Sequence, residues 1–117
     1  MDANSRGKLG EAIALEYLLE KGYALVTTGY RSRFGEIDII VKDNRFVVFV
    51  EVKLRKNAKF AQGREFVGKS KQDKLRTTAE MWLVENLTNL QPRFDVIEIY
   101  APRAARGPEI IHIENAF

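Results

Sequence analysis

Two carboxylates and a lysine lie inside the most apolar stretch of the chain. Asp38 falls in Gly35-Glu-Ile-Asp-Ile-Ile-Val-Lys42, and Glu51 and Lys53 end the run Arg45-Phe-Val-Val-Phe-Val-Glu-Val-Lys53. Charged side chains are depleted from strand interiors and costly to bury unpaired. A hard divalent cation, Mg²⁺ or Mn²⁺, resolves that cost: it takes carboxylate oxygens, keeps several waters and leaves room for a phosphate. Asp38 and Glu51 are therefore candidate metal ligands. Lys53, two residues beyond Glu51, is placed to polarise an attacking water or to stabilise charge on a phosphate. The same charges also suit a solvated sheet face with cross-strand ion pairs, each contributing little.

The elements that must position these groups follow from periodicity. Two Ile- and Val-rich runs joined by Asp43-Asn44 predict an antiparallel hairpin closed by a two-residue turn. Alternation then gives Ile37, Ile39 and Val41 one face and Glu36, Asp38 and Ile40 the other; Val48, Val50 and Val52 likewise oppose Phe49, Glu51 and Lys53. With that turn Ile39 faces Val48 and Asp38 faces Phe49, so Asp38 and Glu51 become diagonal neighbours about 7–8 Å apart.

Residues 4–21 predict a first helix, capped by Asn4 or Ser5, apolar at Leu9, Ala12, Ile13, Leu15, Leu18 and Leu19, and stopped by Gly22. Glu11 shares a stripe with Leu15 and Leu18. By spacing alone it suits an acid near a helix start as well as a ligand. Residues 23–28 predict an outer strand. Residues 29–34 form a basic aromatic loop, in which Arg31 and Arg33 are better placed for phosphate than Tyr30 and Phe34 are for bases. Residues 54–69 have no clean period and predict a mobile connection. Arg55, Lys56, Lys59, Arg64, Lys69 and Lys71 crowd into the segment from Lys53 to Arg76, where Glu65 and Asp73 are the only acids. That concentration suits a surface tracking phosphates, or simply a solvated face.

A second helix is predicted over residues 70–89, with Ser70 as its cap and Leu75, Ala79, Leu83, Leu87 and Leu90 as its buried stripe beside Trp82. Lys71 stands at its start on the Leu75 stripe. A strand from Arg93 to Tyr100 follows, then a loop over residues 101–108 and a last strand over 109–113. Strand, helix and strand imply a parallel crossover beside the Glu51 strand.

Asp38 followed by Glu51-Val-Lys53 resembles the Asp…(Asp/Glu)-x-Lys core of restriction-endonuclease-like nucleases, with Ile37 where the classical pattern has a proline that is often missing in the superfamily. Gly10-Glu11, Gly35-Glu-Ile-Asp-Ile-Ile40, Phe49-Val-Glu-Val-Lys-Leu-Arg55 and Arg93-Phe-Asp-Val96 together resemble the YraN-like bacterial proteins, themselves similar to archaeal Holliday junction resolvases, over nearly the whole chain. The resemblance implies an α/β restriction-endonuclease-like domain, a mixed sheet flanked by two main helices. It also implies a metal-dependent endonuclease acting on DNA, with Glu11 joining Asp38 and Glu51 around the ion and a residue such as Lys71 assisting water or phosphate. A non-catalytic nucleic-acid-binding or assembly module on the same fold is the alternative, and RNA a weaker one.

Composition bounds the rest. At 117 residues and 45% hydrophobic content, a single domain over residues 1–117 is expected. Nineteen basic against sixteen acidic residues give +3, compatible with a polyanionic partner. Absent cysteine excludes thiolate metal sites and disulfides, and the single histidine, His112, forms no metal cluster and fits the last strand. Without a long apolar run or a signal-peptide pattern, the expectation is a cytoplasmic protein with no membrane partner. A two-fold homodimer would double the basic surface.

Overall fold

The Ile- and Val-rich runs pair antiparallel within a five-stranded sheet. In the computed structural model, which describes residues 3–55, 67–100 and 107–117 and their side chains from residue 7 onward, the order is α1 (Ala3–Glu20), β1 (Ala24–Ser32), β2 (Gly35–Lys42), β3 (Phe46–Arg55), α2 (Lys69–Glu85), β4 (Gln91–Tyr100) and β5 (Glu109–Ile113). The strands lie side by side in chain order. Only β3 and β4 are parallel, and α2 is the crossover between them. The architecture is thus the expected α/β one, a mixed sheet with two helices. The strand alternation sends Val48, Val50, Ile97 and Ile99 to a core with Ala14 and Leu18 of α1, and Val47, Phe49 and Val96 to a second core with Leu75, Ala79 and Trp82 of α2.

Several local expectations are corrected. The β2–β3 connection is longer than Asp43-Asn44: Lys42 pairs with Val47, and the Asp43 N–H donates to the Phe46 carbonyl at 3.0 Å. Asp43 Oδ1 accepts from the N–H groups of Arg45 at 2.8 Å and Phe46 at 2.7 Å, which closes the turn from its own side chain. The register moves by two, so Ile39 pairs with Val50 rather than Val48. Strict alternation also breaks at Asp38, because Ile37 packs in the α2 core whereas Ile39 and Val41 pack in the α1 core.

The basic aromatic loop is strand: β1 continues through Ser32, which pairs with Gly35 across the two-residue turn Arg33-Phe34. Gly29 makes this possible with φ of +62°, and a bulge at Val26 absorbs one residue. In α1 the buried line is Gly10, Ala14 and Leu18; Ala12, Leu9 and Leu19 are exposed. Gly22 ends the helix at φ +103°, with its N–H to the Leu19 carbonyl and the Tyr23 N–H to the Leu18 carbonyl, the Schellman arrangement.

Helix α2 begins and ends earlier than its pattern predicts. Gly68 holds the cap position and Ser70 lies in the first turn. Asn86 ends the helix, its backbone N–H and side-chain amide both donating to the Trp82 carbonyl. Leu87 therefore leaves the stripe and is 92% exposed. Pro92 lies within β4, and Leu54 and Arg55 extend β3.

Candidate metal centre

Beyond the Ile39–Val50 pair, β2 and β3 separate, and the candidate site lies at this fork. Continuing the register sets Asp38 opposite Glu51. Asp38 Oδ2 accepts from the Val52 backbone N–H at 2.8 Å, taking a donor that the departing strand no longer reaches. One carboxylate oxygen each from Glu11, Glu36 and Asp38 lie within 4.8 Å of one another. Two elements converge there: α1 brings Glu11, and β2 brings Glu36 and Asp38 from alternate positions of one strand side.

Glu51 is close to this trio without being one of it. It is 7% exposed, and Lys71 Nζ, from the first turn of α2, donates to its Oε1 at 2.6 Å. Lys53 is half-buried, two residues along the same side of β3. The break in alternation at Asp38 therefore divides the carboxylates around the fork, with Glu51 turned toward α2 and Glu11, on α1, beside Asp38 and Glu36.

The electrostatics are those of crowded acids. Burial pushes the Asp38 carboxyl up to about 7, and the Glu51, Glu11 and Glu36 charges push the same way against the Val52 N–H. Glu11 is raised as well, by burial first and then by Glu36 and Glu51. Carboxylate oxygens so placed fit a hard cation such as Mg²⁺ or Mn²⁺, which offsets the mutual repulsion.

The basic residues singled out by the sequence fall into three groups. Arg31 and Arg33 are exposed at the β1–β2 end; Arg31 Nε is 3.4 Å from Glu36 Oε2, and Arg33 lies over the Phe34 ring. Lys69 pairs with Asp73 one turn along α2 at 3.0 Å, while Lys71 reaches Glu51. Arg55 turns inward, its Nε 3.5 Å from the nearly buried Glu98 of β4. Lys56, Lys59 and Arg64 lie outside the described residues.

Two features escaped the sequence reading. Glu36 joins the carboxylates, and its signal was the Glu-x-Asp spacing that puts both acids on one side of a strand. The second is a buried cluster on β4 and β5: Asp95, fully buried, accepts two bonds from Arg93, at 2.9 and 2.8 Å, one from His112 Nε2 at 2.7 Å and one from the Asn115 N–H at 3.0 Å. Burial would push Asp95 up, but the bonds from His112 and Arg93 hold it below the usual range. An aspartate inside the apolar run Phe94–Ile99 was the available sign.

The comparisons with known proteins agree over nearly the entire length. A UPF0102 protein of Thermodesulfovibrio yellowstonii is 45% identical over 112 residues, covering 95% of this chain and 94% of its own. One from Sulfurihydrogenibium is 43% identical over 120 residues, covering 100% and 97%. A third, from Clostridioides difficile, is 42% identical over the full length of both chains. The profile described as "Uncharacterised protein family UPF0102" matches residues 10–99, which span Glu11, the β2–β3 fork and β4 up to Ile99. The chain belongs to the UPF0102 family.

Proposed function

We propose that this protein is a metal-dependent DNA endonuclease that hydrolyses phosphodiester bonds, branched duplex being the substrate form that its resemblance to resolvases suggests. The observation that carries the reading is the convergence of Glu11, Glu36 and Asp38 to within 4.8 Å at the β2–β3 fork. Asp38 and Glu11, with Glu36 beside them, would hold Mg²⁺ or Mn²⁺, and Glu51 would complete the set on release from Lys71. When bound, such an ion supplies positive charge to a phosphate and acidifies a water beside it. Lys53, on the Glu51 side of β3, would hold the attacking water or the phosphate oxygen. Lys71, freed from Glu51, would do the same from the α2 side, while Arg31, Arg33 and Lys69 would track the flanking phosphates. Acting as a homodimer would bring one such centre to each strand of a branched duplex.

A second reading is a nucleic-acid-binding module without turnover. The 2.6 Å Lys71–Glu51 pair favours it, since the lysine ammonium neutralises one carboxylate in place of a metal ion. The two are separated by incubating linear, flapped and four-way DNA with Mg²⁺ or Mn²⁺ and the wild-type, Asp38→Ala and Glu51→Ala proteins. Cleavage by the wild type, lost in both variants, is expected. Binding without cleavage by all three would establish the second reading instead.

A further inference from the structure

The fully buried part of the contact between helix α1 and the sheet is a narrow seam. Its buried line is Gly10, Ala14 and Leu18, and a Cβ at Gly10 would stand 3.6 Å from both Val52 Cγ1 and Leu54 Cβ. At about 100° per residue these three positions span about 80° of the helix circumference. Of these three only Leu18 is bulky, and Ile13, Leu15 and Tyr17 pack partly buried against the same core from the flanks, so the fully buried seam itself resists separation better than it resists a roll of the helix about its axis. The shoulders of the helix must set that roll. On the same arithmetic Glu11 stands about 60° to one side of the seam and Tyr17 about 60° to the other.

The Tyr17 shoulder is anchored in the buried cluster. Its hydroxyl is 3.2 Å from His112 Nδ1 on β5, and the two rings meet edge to face at 5.5 Å. His112 Nε2 lies 2.7 Å from Asp95 Oδ2, and Asp95 is fixed in turn by Arg93 and the Asn115 N–H. A carboxylate only accepts, so in the neutral ring Nε2 carries the hydrogen and Nδ1 accepts from Tyr17. Just past the end of α1, Lys21 Nζ approaches the same Nδ1 at 3.4 Å and Glu114 at 3.6 Å.

We propose that Tyr17 and His112 are positioning residues: their contact sets the roll of α1 that brings Glu11 against Asp38 and Glu36. A roll of 10° moves an atom about 6 Å from the axis by about 1 Å, more than the roughly 0.5 Å tolerance of a built site. The inference rests on the reading of the carboxylate cluster as a cation site. It makes the Asp95 network, on the far strands of the sheet, a determinant of metal affinity.

Calorimetric titration of Mn²⁺ into four proteins tests it: wild type, Tyr17→Phe, Glu11→Gln and the double variant, each also melted without metal. Tyr17→Phe keeps the ring and loses only the hydroxyl, and is expected to weaken Mn²⁺ binding about tenfold, as outer-shell changes do. In the Glu11→Gln background the same change should alter affinity by less than twofold, because Tyr17 acts through Glu11. His112→Gln should reproduce both results. An equal loss in both backgrounds, or a lower melting temperature with unchanged affinity, overturns the positioning role and leaves a structural latch. If the wild type takes up no Mn²⁺, the cation site itself fails and the inference falls with it.

Discussion

At the scale of single residues, Asp38 and Asp95 are two carboxylates in one sheet pushed in opposite directions. Against its burial, Asp95 is held low by the bonds from His112 and Arg93; Asp38 is raised to about 7 by burial and then by the acids around it. In the unfolded chain Asp38 would release its proton near about 4, so between that value and 7 the native state binds more protons than the unfolded one. The stability of the metal-free protein should therefore fall as pH rises through this window and level off above it. Asp38→Asn removes the ionisable group and should flatten the curve, leaving the variant more stable than wild type at pH 8 by on the order of 1–3 kcal/mol; urea melts at successive pH values read this directly, and a flat wild-type profile would contradict it. Because a cation competes with the proton, Mn²⁺ stabilisation of the wild type should grow from pH 6 to 8. Asp95→Ala acts differently, stranding Arg93 and His112 in the interior, and should cost about 3–5 kcal/mol in chemical denaturation at neutral pH.

At the scale of elements, period and punctuation carried most of what could be read. The hairpin, the two helices and the parallel crossover were legible because Ile and Val alternate and Gly22 stops α1. Boundaries failed where a local bond competes with the pattern. Leu87 fits the α2 stripe by spacing, yet Asn86 caps the helix one residue earlier, so Leu87→Ser should change stability by less than about 0.5 kcal/mol. Leu18, fully buried, should cost about 2–5 kcal/mol as alanine. Gly22→Ala should cost about 1–2 kcal/mol, since φ of +103° strains any Cβ. Thermal melts of the three variants order these effects. The site was legible in part. Asp38, Glu51 and Lys53 stood out as charges within apolar runs, whereas the split of Asp38 from Glu51 around the sheet depended on an alternation break at Asp38 that composition does not mark. The Asp95 cluster depended on pairing β4 with β5, a partnership set by tertiary structure.

At the scale of the whole molecule, no helix among the described residues is long and apolar enough to cross a membrane, and the sheet organises everything else. Its pairings differ in reach. Strands β1, β2 and β3 are joined by short turns, while the parallel β3–β4 ladder, ten residue pairs long from Phe46–Gln91 to Arg55–Tyr100, joins positions 45 apart in the chain. Closing so distant a contact is slow relative to closing a hairpin. The meander should therefore assemble early and β4 should dock late. In stopped-flow refolding, Val48→Ala, within the meander, should slow folding, whereas Asp95→Asn should chiefly speed unfolding; the reverse pattern would place β4 in the nucleus. Until β4 arrives, β3 presents a long unsatisfied edge of Val and Phe, the kind of edge that pairs with other chains. The hazard for a freshly made molecule thus lies in a brief interval, and whatever hastens the return of the chain through α2 shortens it.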